Sequence, residues 1–125
     1  MTNYRRGAVV LLPFPYTDQS GSKRRPALVL STDAYNTRRG DIIVAPITGN
    51  LSTGQADDTP LADWGDAGLL KPSVVKGVIG TVEQTLVVRV LGALSVADLQ
   101  KVEQTFAGVL GLTVVTTSMP RRPSA

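Results

Sequence analysis

The chain has 125 residues, 42% hydrophobic and 18% charged, with 12 Gly, 8 Pro and a formal net charge of +3, a composition that suits one small soluble globular domain rich in strands and turns. It contains neither cysteine nor histidine, which excludes disulfides, zinc fingers, iron–sulfur ligation, thiolate nucleophiles, Ser-His-Asp triads and histidine-pair acid–base chemistry. Any catalysis therefore uses Arg, Lys, carboxylates or hydroxyls, and no metal or cofactor is expected.

Arg5 and Arg6 precede a short apolar run, Ala8 to Leu12, that Pro13 and Pro15 interrupt; this fits neither a signal peptide nor a membrane span, so a cytoplasmic protein is expected. The run itself is the first predicted strand. The polar stretch from Thr17 to Arg25 reads as a long hairpin loop, followed by strands at Ala27–Leu30 and Ile42–Ala45. Residues 49–70 form an irregular stretch with room for one short edge strand, and Ser73–Ile79 and Leu86–Leu91 are two further strand candidates. One helix is well signalled. Ser95 is its N-cap, Asp98 completes a capping box, Leu94 and Leu99 have staple spacing, and Gly111 ends it after Leu110. Leu99, Val102, Phe106 and Leu110 make one apolar stripe for packing on the sheet. Residues 1–115 are read as one domain and residues 116–125 as a frayed tail. Short strands followed by one C-terminal helix argue for a mainly β fold, a small bent sheet or barrel.

Charge is segregated along the chain. Residues 1–48 carry seven basic and three acidic side chains, whereas residues 49–70 carry four acids and no base. A basic front half fits a polyanion partner, although charges solvated on loops account for it equally. Lys23-Arg24-Arg25 stand immediately before a buried strand, so Arg25 is anchored by rigid backbone and could hold a phosphate bidentately, unless it is ordinary strand-flanking charge. Thr48 ends the third strand, where a small sheet displays side chains into a cleft; threonine is also simply a good strand former. Phe14 and Tyr16 alternate with Pro13 and Pro15 and present two aromatic faces beside the cations, either to stack unpaired bases or to lid the core. Asp57, Asp58, Asp63 and Asp66 have irregular spacing and read as loop charges, not as a magnesium site.

Gly7 to Asp18, Lys23-Arg24-Arg25-Pro26-Ala27-Leu28-Val29-Leu30-Ser31, Asp41 to Thr48, Gly68 to Lys76 and Arg89 to Ser95 follow one another in a pattern that resembles the MazF/PemK family of toxin endoribonucleases, over roughly residues 7–110. The resemblance implies an SH3-like small β-barrel of the MazF/PemK/CcdB type with a C-terminal helix and a homodimer. It also implies metal-independent cleavage of single-stranded RNA by 2′-OH attack, which leaves a 2′,3′-cyclic phosphate and a 5′-OH, and a cognate antitoxin as partner. Carried over by position, it puts catalytic roles on Arg25 and Thr48. Phe14 and Thr17 fall where relatives line the RNA groove, and Arg24 and Lys76 are further candidates for RNA contact. Because Arg cannot serve as a resting base, Arg25 is assigned charge stabilisation. Asp18 is a general-base candidate by charge type alone.

Two departures stand out: Gly77-Val78-Ile79-Gly80 replaces the polar residues that many relatives carry before the position of Thr81, and Gly7-Ala8 lacks the Asp that commonly follows the glycine. The alternative is a non-catalytic SH3-like module that holds RNA or a peptide. A gyrase poison of the same fold is disfavoured, because those toxins act through a Trp-Gly-Ile ending and this chain ends Arg121-Arg122-Pro123-Ser124-Ala125.

Overall fold

The computed structural model describes residues 4–13, 23–51 and 56–113. Seven strands form one mainly antiparallel sheet: β1 (Ala8–Pro13), β2 (Arg24–Val29), β3 (Asp41–Thr48), β4 (Thr59–Pro60), β5 (Val74–Val75), β6 (Gly80–Glu83) and β7 (Arg89–Ala93). Its path runs β4-β5-β3-β2-β1-β7, and β6 also pairs with β3. Helix α1 (Asp33–Arg39) joins β2 to β3, and α2 (Val96–Leu110) follows β7.

The apolar runs of β1, β2 and β3 are continuous because both faces of these central strands are buried. Strand alternation sends Val9, Leu28, Ala45 and Ile47 to one core, where Leu94, Val102 and Phe106 close over them. Val10, Leu12, Ala27, Val29, Ile42, Val44 and Val82 fill the other. The sheet is barrel-like, as expected, although among the described residues its end strands β4 and β7 do not pair, and the segment around Ala67 and Gly68 lies along β7. Gly68 has φ +81°, and a Cβ there would stand 2.1 Å from the Leu91 carbonyl oxygen, so only glycine permits this approach.

Helix α2 begins and ends as its sequence indicates, with Ser95 as N-cap accepting from the Asp98 N–H and Gly111 in the left-handed region. Two details differ from expectation. Leu110 is exposed: it lines an open apolar groove with Leu30, Ile43 and Phe106. Asp98 does not reach back to close a capping box; its carboxylate accepts from the N–H groups of Ala62 at 3.1 Å and Asp63 at 2.8 Å, and Lys101 pairs with it at 3.1 Å.

Burial pushes the Asp98 carboxyl up, but the Asp63 and Ala62 N–H groups and the Lys101 ammonium outweigh it, and the group lies below its ordinary 3.8. A carboxylate depressed in the folded state stabilises the fold above the unfolded value, and that contribution fades as pH falls through the folded value. Asp98→Ala is thus expected to lose about 2 kcal/mol at pH 7. Urea titrations at pH 7 and pH 3 should show the gap to wild type narrowing in acid.

Other departures have local causes. Helix α1 escapes prediction because its seven residues are too few for a periodic signal, although Thr32 caps it and Gly40 stops it in the left-handed region. The predicted strand at Ser73–Ile79 is only β5. After the Lys76 N–H donates to the Pro46 carbonyl, the chain turns at Gly77, whose absent Cβ makes room for Asp57 and whose N–H donates to Asp58 Oδ1 at 3.3 Å, and it resumes as β6. The predicted strand at Leu86–Leu91 starts later, at Arg89, because Gln84–Leu86 form a 3-10 turn. Buried Gln84 drives that turn: its Nε2 donates to the Asn36 carbonyl at 2.7 Å and its Oε1 accepts from the Tyr4 N–H at 3.2 Å. Arg24 and Arg25 open β2 itself, opposite Pro13 and Leu12, and are not the end of a loop. Phe14, Thr17, Asp18 and the 116–125 tail lie outside the described residues. No described helix is long and apolar enough to cross a membrane.

Candidate active site

The β2–β3 register sets Ala27 opposite Pro46 and Leu28 opposite Ala45. Carried two residues further, the same register brings Arg25 opposite Thr48, on one face of the sheet. Both side chains line an open cleft of about 530 Å³. Its floor is Leu11, Pro26 and Ile47, and its far wall comes from Gly68 to Ser73 and from Arg89, Val90 and Leu91 of β7.

Arg25 is half-buried, and its Nε is enclosed without a hydrogen-bond partner among the described residues. A buried guanidinium N–H left unsatisfied costs stability, and such groups are retained where a ligand supplies the acceptor. Thr48 is oriented by its own loop: its Oγ1 accepts from the Asn50 N–H at 3.1 Å. With one lone pair taken, the hydroxyl proton remains to be donated outward. Arg25 and Thr48 therefore bring a planar cation and a hydroxyl to the same cleft.

Arg24, Lys71 and Arg89 line the same cleft, and no carboxylate does among the described residues. None of Asp57, Asp58, Asp63 and Asp66 lines the cleft, and Asp58 is engaged elsewhere, its Oδ2 taking the Lys76 ammonium at 2.9 Å. Charge segregation in the sequence has become segregation in space. A cleft lined by four cations and no acids attracts a polyanion, and its low-dielectric floor strengthens each contact.

Of the predicted site residues, the structure brings together Arg24, Arg25 and Thr48. Lys76 lies outside the cleft, in its ion pair with Asp58. Phe14 and Thr17 fall outside the described residues. Sequence reasoning missed Lys71 and Arg89. Arg89 stands opposite Leu11, whose other neighbour is Pro26, so one strand separates it from the Arg25 corner; a strand assignment beginning at Arg89 would have revealed this. Lys71 arrives from a loop with no periodic signal.

The family of PemK-like, MazF-like toxins of type II toxin–antitoxin systems matches residues 5–110. No curated relative matches the chain. Among solved structures, the chain is similar to an endoribonuclease in complex with its cognate antitoxin from a Mycobacterial species, at 23% identity and a TM-score of 0.68, over 92% of this chain and 100% of that one. It is similar to the Mycobacterium tuberculosis toxin MazF-mt6 at 24% and 0.68, over 86% and 99%. It is also similar to a MazE–MazF complex from Deinococcus radiodurans at 26% and 0.69, over 90% and 100%. These likenesses establish a shared fold across the whole of each partner.

Proposed function

Because this chain belongs to the family of PemK-like, MazF-like toxins of type II toxin–antitoxin systems, a family of endoribonucleases, we propose that it cleaves single-stranded messenger RNA without a metal ion, by attack of the ribose 2′-OH on the adjacent phosphate. The 2′-oxygen–phosphorus bond forms as the 2′-OH proton passes to solvent water, the phosphorus–5′-oxygen bond breaks as that oxygen takes up a proton, and the products are a 2′,3′-cyclic phosphate and a 5′-OH. One observation carries this reading: a guanidinium with an unsatisfied Nε and a threonine hydroxyl line one cleft together with three further cations.

Arg25 neutralises the charge that grows on the non-bridging oxygens in the pentavalent state and can pass a proton to the departing 5′-oxygen. Thr48 donates to a non-bridging oxygen or to the 2′-oxygen. A guanidinium cannot accept the 2′-OH proton at rest. Alignment of nucleophile, phosphorus and leaving group, together with electrostatic stabilisation, supplies the rate, and a slow enzyme needs no dedicated base. Arg24 and Arg89 hold flanking phosphates.

The toxin is held in check by a cognate antitoxin whose acidic segment lies on the cationic cleft and competes with RNA. It works as a homodimer in the cytoplasm, where its substrate is. Support for the antitoxin comes from the family description and from the antitoxin complexes among the similar structures.

The test is to incubate the purified protein, with EDTA present, against a long single-stranded RNA and an all-DNA copy, and to identify the ends. Cleavage of RNA alone, with cyclic-phosphate ends, is the expected result. RNA bound but uncut would replace the enzyme with a binding module, and cleavage that EDTA abolishes would overturn the metal-free step.

A further inference from the structure

We infer that Lys71 is a further catalytic residue of this cleft, its ammonium donating to a non-bridging oxygen of the scissile phosphate beside Thr48. The inference rests on the RNA-cleaving reading above and deepens it. Four observations carry it.

Lys71 lines the cleft that holds Arg25 and Thr48. Its stem lies on Gly49, the residue directly after Thr48: a Cβ built on Gly49 would stand 2.2 Å from Lys71 Cε and 3.2 Å from both Cδ and Cγ. The lysine thus occupies the space that any other side chain at position 49 would need. Its backbone is fixed as well. The Ser73 hydroxyl donates to the Lys71 carbonyl at 2.9 Å, Pro72 restricts the residue before it to extended conformations, and Gly68 presses the same segment onto Leu91. Finally, Lys76 and Lys101 have their ammonium groups taken by Asp58 and Asp98, whereas Lys71 makes no ion pair among the described residues.

A surface lysine ordinarily spreads over many rotamers and must be ordered before it can contact a ligand. Here the stem rests on Gly49, which narrows its choices while the side chain lines the cleft. The chemistry calls for such a group. On attack the phosphate gains a negative charge that Arg25 alone faces from its own strand, and a compact ammonium with three donors complements a planar guanidinium. Because charge on the phosphorane exceeds that of the bound diester, a fixed cation favours the transition state over the ground state. Lys71 stays protonated throughout, and no proton or electron beyond those of the cleavage step is needed.

The experiment uses the full chain and an RNA whose cut site has been mapped. Lys71→Met keeps the stem on Gly49 and removes the charge; it is expected to lower kcat/KM about a hundredfold, while the Kd for the same RNA with a 2′-deoxy nucleotide at the cut site shifts less than about threefold. Gly49→Ala, which displaces the stem but keeps the charge, is expected to lower kcat/KM as well, and to add nothing in a Lys71→Ala background. A Lys71→Met enzyme as fast as wild type overturns the inference and leaves Lys71 as a docking charge for an acidic partner. So does a Gly49→Ala loss that persists without Lys71, since it would act through Thr48. If wild type itself leaves RNA uncut, the underlying reading fails instead.

Discussion

Arg25→Ala is expected to slow RNA cleavage about a thousandfold and to leave the protein folded. Both halves follow from the same atom. Arg25 Nε is buried and has no hydrogen-bond partner among the described residues, so the substrate phosphate is its natural acceptor and no described protein group depends on it. Truncation removes a charge-assisted donor aimed at the reacting centre. It also relieves a buried donor left unsatisfied in the resting fold, so the urea midpoint should hold or rise, by an amount corresponding to at most about 1 kcal/mol. Strand β2 stays in place, because Arg25 pairs with Leu12 through main chain and buried Ala27, Leu28 and Val29 anchor the strand on both faces. Arg25→Lys should recover little: an ammonium cannot present two parallel donors to a phosphate. Initial rates on a fluorogenic RNA and a urea titration on the same preparations decide it. An Arg25→Ala enzyme at wild-type rate would remove Arg25 from the reaction, and a collapse in stability would recast it as a structural residue.

The same trade between function and stability explains what the sequence revealed. Strands β1 to β3 were readable because each is an unbroken apolar run bounded by Gly, Pro or a charge, and helix α2 because Ser95 and Gly111 mark its ends locally. What could not be read depends on contacts between distant residues. Gly77 turns the chain because Asp57 sits against it, which splits one predicted strand into β5 and β6. Gln84 bends the next segment because it is tied to Tyr4 and Asn36, 80 and 48 residues away. The polar core around Asn36, where Nδ2 donates to the Tyr4 carbonyl at 2.6 Å and the Ser31 hydroxyl donates to Oδ1, has no periodic signature. The site divides in the same way. Arg25 and Thr48 lie at strand ends that the resemblance marks, and one register relation brings them together. Lys71 and Arg89 reach the cleft only because Gly68 allows a loop to lie against β7, and the β1–β7 pairing is shifted by an irregularity between Val9 and Val10.

Thr48 offers the sharper test of chemistry against shape. Its Oγ1 accepts the Asn50 N–H, which leaves the hydroxyl proton free to be donated away from that amide. Thr48→Val keeps the branched volume and the strand propensity but removes the proton, and it should lower kcat about a hundredfold. Thr48→Ser keeps the hydroxyl and the turn, and should stay within about tenfold of wild type, the difference reflecting the freer χ1 of serine. If Thr48 merely shaped the strand end, the order would reverse, because valine fits a strand better than serine. The double variant Arg25→Ala with Thr48→Val adds a second criterion. Two groups that stabilise one phosphorane lose their effects together, so the pair should be less damaging than the product of the single losses. Full multiplicativity would mean that they serve separate steps, with Thr48 acting on the 2′-oxygen and Arg25 on the departing 5′-oxygen. Either pattern assigns the hydroxyl to a particular atom of the substrate.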